Sequence, residues 1–193
     1  MPQKDLYKDV KENKYGYYEL NSNFVKADVD SLYQDSYYQK EMSLYRKQYS
    51  EKELEEKNYR LEEKQYVLEN LLSVSKKNGK ILDVGCGEGF ALKFFMEAGY
   101  EVSGIEFSLA GCQQHNSDVV DKVVLGDALE VLNQMEKGHY EGAILMDHVL
   151  EHIVDPERLI KIITEISTSG TCLVISVPND FSATQKKLYG GGI

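Results

Sequence analysis

The sequence predicts an α/β protein built on a doubly wound, mostly parallel sheet, with a helical, tyrosine-rich N-terminal appendage. Three observations carry this. Five short apolar segments, at 80–85, 101–106, 122–125, 141–147 and 171–177, alternate strictly with segments of helical pattern. Strands that alternate with helices pack as a parallel sheet covered on both faces. A glycine-rich turn, Gly85-Cys86-Gly87-Glu88-Gly89, joins the first of these strands to the helix behind it. Finally, nine of the 14 tyrosines fall within residues 1–49, where aliphatic residues are too few to build a core.

At 193 residues the chain has room for one domain of ordinary size plus an appendage, so the expected division is an arm or lid over 1–49 and a main domain over 50–193. The hydrophobic fraction of 42% and mean hydropathy of −0.43 are those of a soluble globular protein. No apolar run approaches the ~18 residues needed to cross a bilayer, and Met1-Pro2-Gln3-Lys4-Asp5 opens no signal peptide. The expected location is therefore cytoplasmic. Net charge of −10 and a pI near 4.9 repel a phosphate backbone, which argues against a nucleic-acid partner. Cys86, Cys112 and Cys172 are odd in number and share no Cys-x-x-Cys spacing, so they read as reduced thiols.

Residues 1–49 read as a packing arm, a partly disordered leader or a lid that uses tyrosine rings as contact area, with short helices around 28–48. Ser50-Glu51-Lys52-Glu53 is a capping box that starts a helix. Leu54, Leu61, Leu68 and Leu72 form its stripe, Tyr59 and Tyr66 widen it, and Asn78-Gly79 should stop it near Lys77. Asn58 and Gln65 at the alternate positions argue against a coiled coil and for a helix packed on the sheet. Helices then follow the strands at 88–98, 108–115, 127–136 and 155–168, the last capped by Asp155 with Pro156 as its first residue. A final helix is expected at 181–189.

Sheets of this Rossmann-like kind bind ligands at the carboxyl ends of their strands. After the first strand, the Gly85-x-Gly87-x-Gly89 spacing departs from the Gly-x-Gly-x-x-Gly of a dinucleotide site. Asp83, two residues before it, would repel a pyrophosphate but suits the amino group of a cationic amino acid. An NAD-dependent oxidoreductase is therefore the weaker alternative. After the second strand stands Glu106, 21 residues beyond Gly85, where a carboxylate can hold both hydroxyls of a ribose. After the third stands Asp127, which caps a helix in Asp127-x-x-Glu130 or binds the ligand, or does both. After the fourth comes Asp147-His148-Val149-Leu150-Glu151-His152. His148-x-x-Glu151-His152 matches a zinc pattern that requires a helix, but it follows a strand directly and precedes the new helix start at Asp155. No metal is expected there.

Glycine loop, ribose acid, third-strand acid and fourth-strand segment together resemble the class I S-adenosylmethionine-dependent methyltransferases, over roughly residues 66–180 and most closely those acting on quinones, sugars and other small-molecule acceptors. The resemblance implies S-adenosylmethionine as cofactor, held by Asp83, Gly85, Cys86, Gly87, Glu106, Phe107, Asp127, Ala128 and Asp147. Phe107 would pack on adenine, Asp127 would accept from its amino group beside the Ala128 backbone, and Asp147 and His148 would line the methionine end. Methyl transfer needs in-line positioning, with a base only where the acceptor must lose a proton. His148 and His152 are the candidate catalytic bases, since histidine titrates near neutrality; the alternative reading of each is a loop hydrogen-bonder, while His115 and His139 read as surface residues. One departure stands out. The family sheet has seven strands and this chain offers five, which reads as a fragment or a short form, with the open edge of the fifth strand covered by a homodimer partner or by the N-terminal arm. A cofactor-binding but inactive or regulatory module is the corresponding alternative function.

Overall fold

A computed structural model of the chain describes residues 10–20, 48–72, 74, 79–153, 155–179 and 184. The chain divides into two units, Met1–Gln39 with Pro178–Ile193, and Lys40–Val177. In the first, strands β1 (Val10–Glu12) and β2 (Tyr18–Leu20) form an antiparallel hairpin. The sequence reading did not anticipate it. Its turn is made by Asn13, whose carboxamide oxygen accepts from the backbone of Tyr15 at 2.8 Å, and by Gly16 at φ 85°. The expected helices at 28–48 and 181–189 lie outside the described residues, apart from Thr184.

The second unit begins with α1 (Glu51–Asn70), started by the capping box at Ser50 and Glu53 as the sequence predicts. Leu61 and Leu68 are buried, while Leu54 and Leu72 are 37% and 40% exposed. Tyr59 and Tyr66 do not widen the buried stripe; they stand about 60% exposed on the opposite side. The helix also ends earlier than expected. The Val74 amide bonds to Leu68 O at 2.8 Å, folding Val74 back into the core instead of continuing the helix toward Lys77.

From here the alternation holds. Strands β3 (Lys80–Val84), β4 (Glu101–Glu106), β5 (Val123–Leu125), β6 (Ala143–Asp147) and β7 (Cys172–Ser176) form one parallel sheet in the order β5-β4-β3-β6-β7. Helices α2 (Phe90–Glu97), α3 (Ala110–His115), α4 (Ala128–Asn133) and α5 (Pro156–Ile166) connect them. Gly99 closes α2 at φ 96°, with Tyr100 N donating to Phe95 O at 3.0 Å, and the Asp155 carboxylate caps α5 by accepting from Arg158 N.

Alternation along the central strand sets the two cores. Ile81 packs with Leu61, Leu68, Phe95 and Leu145 under α1 and α2, while Leu82 and Val84 pack with Leu132, Leu159 and Ile163 under α4 and α5. Asp83 is on the α1 face, in the same row as Ile81, and this is why a carboxylate is buried at the strand end. The chain reverses its direction of growth between β3 and β6. Their carboxyl ends therefore diverge into loops running opposite ways, which leaves a crevice. At the sheet's far edge β7 leaves Leu173 and Ile175 more than a third exposed. Among the described residues, no helix is long and apolar enough to cross a membrane.

Leu68 is fully buried between α1 and the sheet. Leu68→Ala should lower unfolding stability by about 2–5 kcal/mol in a urea titration. A loss under ~1 kcal/mol would mean that α1 is only loosely docked.

Candidate active site

A cavity of about 600 Å³ opens at the crevice, walled by the β3, β6 and β7 ends, the glycine loop and one face of α1. The loop is bound to its neighbour strand by backbone bonds. Gly85 N and Cys86 N both donate to Ile105 O, at 2.8 and 3.2 Å. Gly85 holds φ 73°, and a Cβ there would lie 2.5 Å from the Val149 side chain, so both backbone conformation and space require glycine. Gly89 starts α2 from the left-handed region.

Glu106 ties the loop to β4. It is buried, its Oε2 accepts from Gly87 N at 2.7 Å and its Oε1 from Phe107 N at 2.8 Å. Each carboxylate oxygen keeps a second lone pair for a ligand hydroxyl. Next in line, Gly126 N donates to Glu106 O, and Asp127 caps α4 by accepting from Glu130 N at 3.0 Å, beside buried Ala128. The capping role of Asp127 is thus seen directly.

The cavity's inner wall is acidic. Asp83, 5% exposed, has its pKa pushed up to about 7, first by burial and then by the Asp147 carboxylate, with Glu106 adding and Lys64 opposing. Burial also works on Asp147, but a 2.8 Å ion pair with Lys64, a Ser176 hydrogen bond and nearby His148 hold it below the usual carboxylate range. Asp83 is buried while Asp147 is half exposed and paired with Lys64, so burial and like charge raise the first and Asp147 is the one held ionised.

Of the predicted site residues, Asp83, Gly85, Cys86, Gly87, Asp147 and His148 line the cavity, and Glu106 abuts it through Gly87. His148 has φ 56°, a left-handed conformation that costs a non-glycine residue about 1 kcal/mol or more. Its amide donates to Ser176 O at 2.9 Å and its Nδ1 lies 3.3 Å from Glu151 Oε1. His152 sits in the short turn Leu150–His152, exposed, and is not in the cavity wall. That turn is a single 3₁₀ turn, so the helical face a His-x-x-Glu-His zinc site requires does not form.

His115 corrects the sequence reading. Its side chain is only 10% exposed, with Nε2 3.5 Å from Glu88 Oε1 and its ring against Tyr49 and Phe90. The cause is Asn116, buried just behind it, whose side chain donates to Glu88 O and draws the end of α3 onto the loop. His139 is exposed as expected. Sequence reasoning missed the partners supplied from around α1. The Tyr49 hydroxyl donates to Glu88 within 2.8 Å, Lys57 lies 3.7 Å from Glu88, and Lys64 reaches Asp147 across 83 residues of sequence. The signal was present: Lys57, Leu61, Lys64 and Leu68 share one helical face.

Fold and site together define a nucleoside-cofactor α/β domain, and residues 54–190 match the Methyltransferase domain family. The chain belongs to that family. Among similar proteins are two named ubiquinone biosynthesis O-methyltransferase. That of Nitrosospira multiformis is 29% identical over 103 residues, 51% of this chain and 43% of that one. That of Bordetella avium is 29% identical over 112 residues, 56% of this chain and 46% of that one. A SAM-dependent methyltransferase from Archaeoglobus fulgidus aligns with TM-score 0.51 at 25% identity, over 69% of this chain and 61% of that one. The matched stretch thus spans less than half the length of the two relatives.

Asp83 also sets a pH dependence. Its folded pKa lies above the ordinary 3.8, so the folded state keeps a proton that the unfolded chain has released. The contribution of Asp83 to stability is therefore full below about pH 4 and is lost as pH rises toward about 7. Asp83→Asn, which cannot ionise, should raise unfolding stability at about pH 8, by at most about 4 kcal/mol in a urea titration, and much less at about pH 4. A gain of equal size at both pH values would show that Asp83 is not the titrating group.

Proposed function

We propose that the protein transfers a methyl group from S-adenosylmethionine to a small-molecule acceptor. One observation carries this reading. The cavity's inner wall sets Asp83 and Asp147, with Glu106 close by, against Lys64, so acids outnumber cations there, and burial pushes the Asp83 pKa up to about 7. A cofactor with an ammonium and a sulfonium but a single carboxylate has the complementary charge. Its vicinal ribose hydroxyls suit the free lone pairs of Glu106, and its amino group suits Asp83 and Asp147. Gly85, Cys86 and Gly87 would lie against its backbone-facing side, and Phe107, Asp127 and Ala128 against adenine. When bound, the cofactor supplies an electrophilic methyl group.

The chain's own residues position and exclude water. α1 roofs the cavity with Leu61 and Val67, and the backbone bonds of the glycine loop fix its inner wall. His148, whose amide donates to Ser176 O and whose ring lies beside Glu151, would take a proton from an acceptor hydroxyl, with Glu151 orienting its ring. His152 would act only from outside the wall. The similar proteins named as O-methyltransferases favour a hydroxyl acceptor, so phenols and catechols belong first in an acceptor panel.

Calorimetry with S-adenosylhomocysteine tests the cofactor, and labelled-methyl turnover over that panel tests the reaction. Binding without turnover would leave the non-catalytic module, and tighter binding of NADH would favour the oxidoreductase. Glu106→Ala should weaken S-adenosylhomocysteine binding by about 1–3 kcal/mol, because the ribose hydroxyls lose their acceptors and Gly87 N loses its partner. Unchanged affinity would remove Glu106 from the site.

A further inference from the structure

The three acids at the cavity's inner wall are not equally provided for. Glu106 accepts from Gly87 N and Phe107 N at 2.7 and 2.8 Å, and Asp147 is paired with Lys64 at 2.8 Å. Among the described residues none donates a hydrogen bond to Asp83, which is 5% exposed. The strand register explains why. Its neighbours across β4 and β6 are Gly104 and Leu145, which offer no polar side chain, and two residues further along those strands stand Glu106 and Asp147, which offer charge of its own sign. The loop and α3 bring the buried thiols Cys86 and Cys112 toward it. Beyond Asp147, His148 turns its Nδ1 to Glu151. Of the α1 cations that line the cavity, Arg60 is paired with Glu56, Lys57 lies 3.7 Å from Glu88, and Lys64, which does act on Asp83, is engaged by Asp147. A buried carboxylate without donors is costly when ionised and much less so when neutral. Asp83 is therefore satisfied either by a proton or by a cation brought into the cavity beside it, and the two are alternatives.

We propose that Asp83 exchanges its proton for the cation of the ligand: an ammonium-bearing cofactor seated at this wall expels one proton from Asp83 to solvent, so that cofactor affinity rises with pH. This rests on the cofactor reading above. The exchange balances, one cation entering as one proton leaves. Its direction follows from linkage. Burial, and then the Asp147 charge, push the pKa of unliganded Asp83 up to about 7, so the free protein binds a proton that the paired carboxylate of the complex does not. Affinity therefore increases as pH rises toward about 7 and is level above it. A ligand without a positive group at that end binds with Asp83 still protonated and shows no such rise.

Calorimetry of S-adenosylhomocysteine binding in buffers of different ionisation enthalpy counts the protons released. At about pH 6 the wild type should release most of one proton, falling toward none by about pH 8, and affinity should rise about 8-fold between about pH 6 and about pH 7.5. 5′-Methylthioadenosine, which keeps the adenosine and the sulfur but lacks the amino-acid end, should release no proton and bind equally across that range. In Asp83→Asn both the release and the pH dependence with S-adenosylhomocysteine should disappear. The wild-type comparison of the two ligands stands by itself should this variant fold poorly. Equal release with both ligands, or release that persists in Asp83→Asn, would put the titrating group elsewhere, His148 first, and overturn the inference. So would S-adenosylhomocysteine binding that is level across the range. If S-adenosylhomocysteine binds at no pH, the cofactor reading itself falls, a result distinct from level binding.

Discussion

Two carboxylates at the ends of neighbouring parallel strands are the constraint around which this site is arranged. Asp83 and Asp147 stand at the carboxyl ends of β3 and β6, where the strand order reverses and the loops diverge. Asp83 is buried and Asp147 half exposed, and their like charges disfavour each other unless a cation stands between them, which the strand ends do not supply. Lys64 comes from α1, far away in sequence, and it holds Asp147 ionised and opposes the rise that burial imposes on Asp83. The position of α1 is therefore an electrostatic requirement as much as a packing one.

This explains the mixed character of α1. A helix that only covered a sheet would show one continuous apolar face. Here Leu61 and Leu68 dock on Ile81 and Leu145, and Lys57 and Lys64, on the same face, reach past them to Glu88 and Asp147. Long lysine side chains can span such an apolar surface, and here their ammonium groups meet the acids beyond it. The Tyr49 ring and hydroxyl extend the same arrangement ahead of the helix, closing over Glu88 and His115. The glycine loop is thereby gripped from two directions: by Glu106 from within the sheet and by the α1 region from above.

The fold was legible because its signals are local. Strand-length apolar runs, the Ser50 capping box, Gly99 and Asp155-Pro156 each act within one turn of backbone, and the structure places strands and helices where those signals fall. The expectations that failed needed long-range information. α1 ends early because the Val74 amide bonds to Leu68 O and its side chain joins the core, which no local signal announces. His115 is drawn inward by Asn116 bonding to a carbonyl of the glycine loop, a contact across 28 residues of sequence. The hairpin at 10–20 was overlooked because its strands are three residues each and only Asn13 and Gly16 mark its turn.

The same distinction separates the two sides of the cavity. On the β3–β4 side, the residues that form the wall are fixed by backbone: positive φ at Gly85 and Gly89, amides donating to Glu106, a carboxylate buried at a strand end. Such positions admit few residue types, so the sequence there carries a readable pattern. On the β6–β7 side the wall is made of side chains near half exposure, Asp147 at 46% and His148 at 54%, and the neighbouring edge shows Leu173 and Ile175 to solvent. Little in the backbone restricts what may stand at those positions, apart from the strained φ of His148. A ligand recognised by the first side is therefore specified by the fold, whereas one recognised by the second is specified by individual side chains, which a motif leaves unstated.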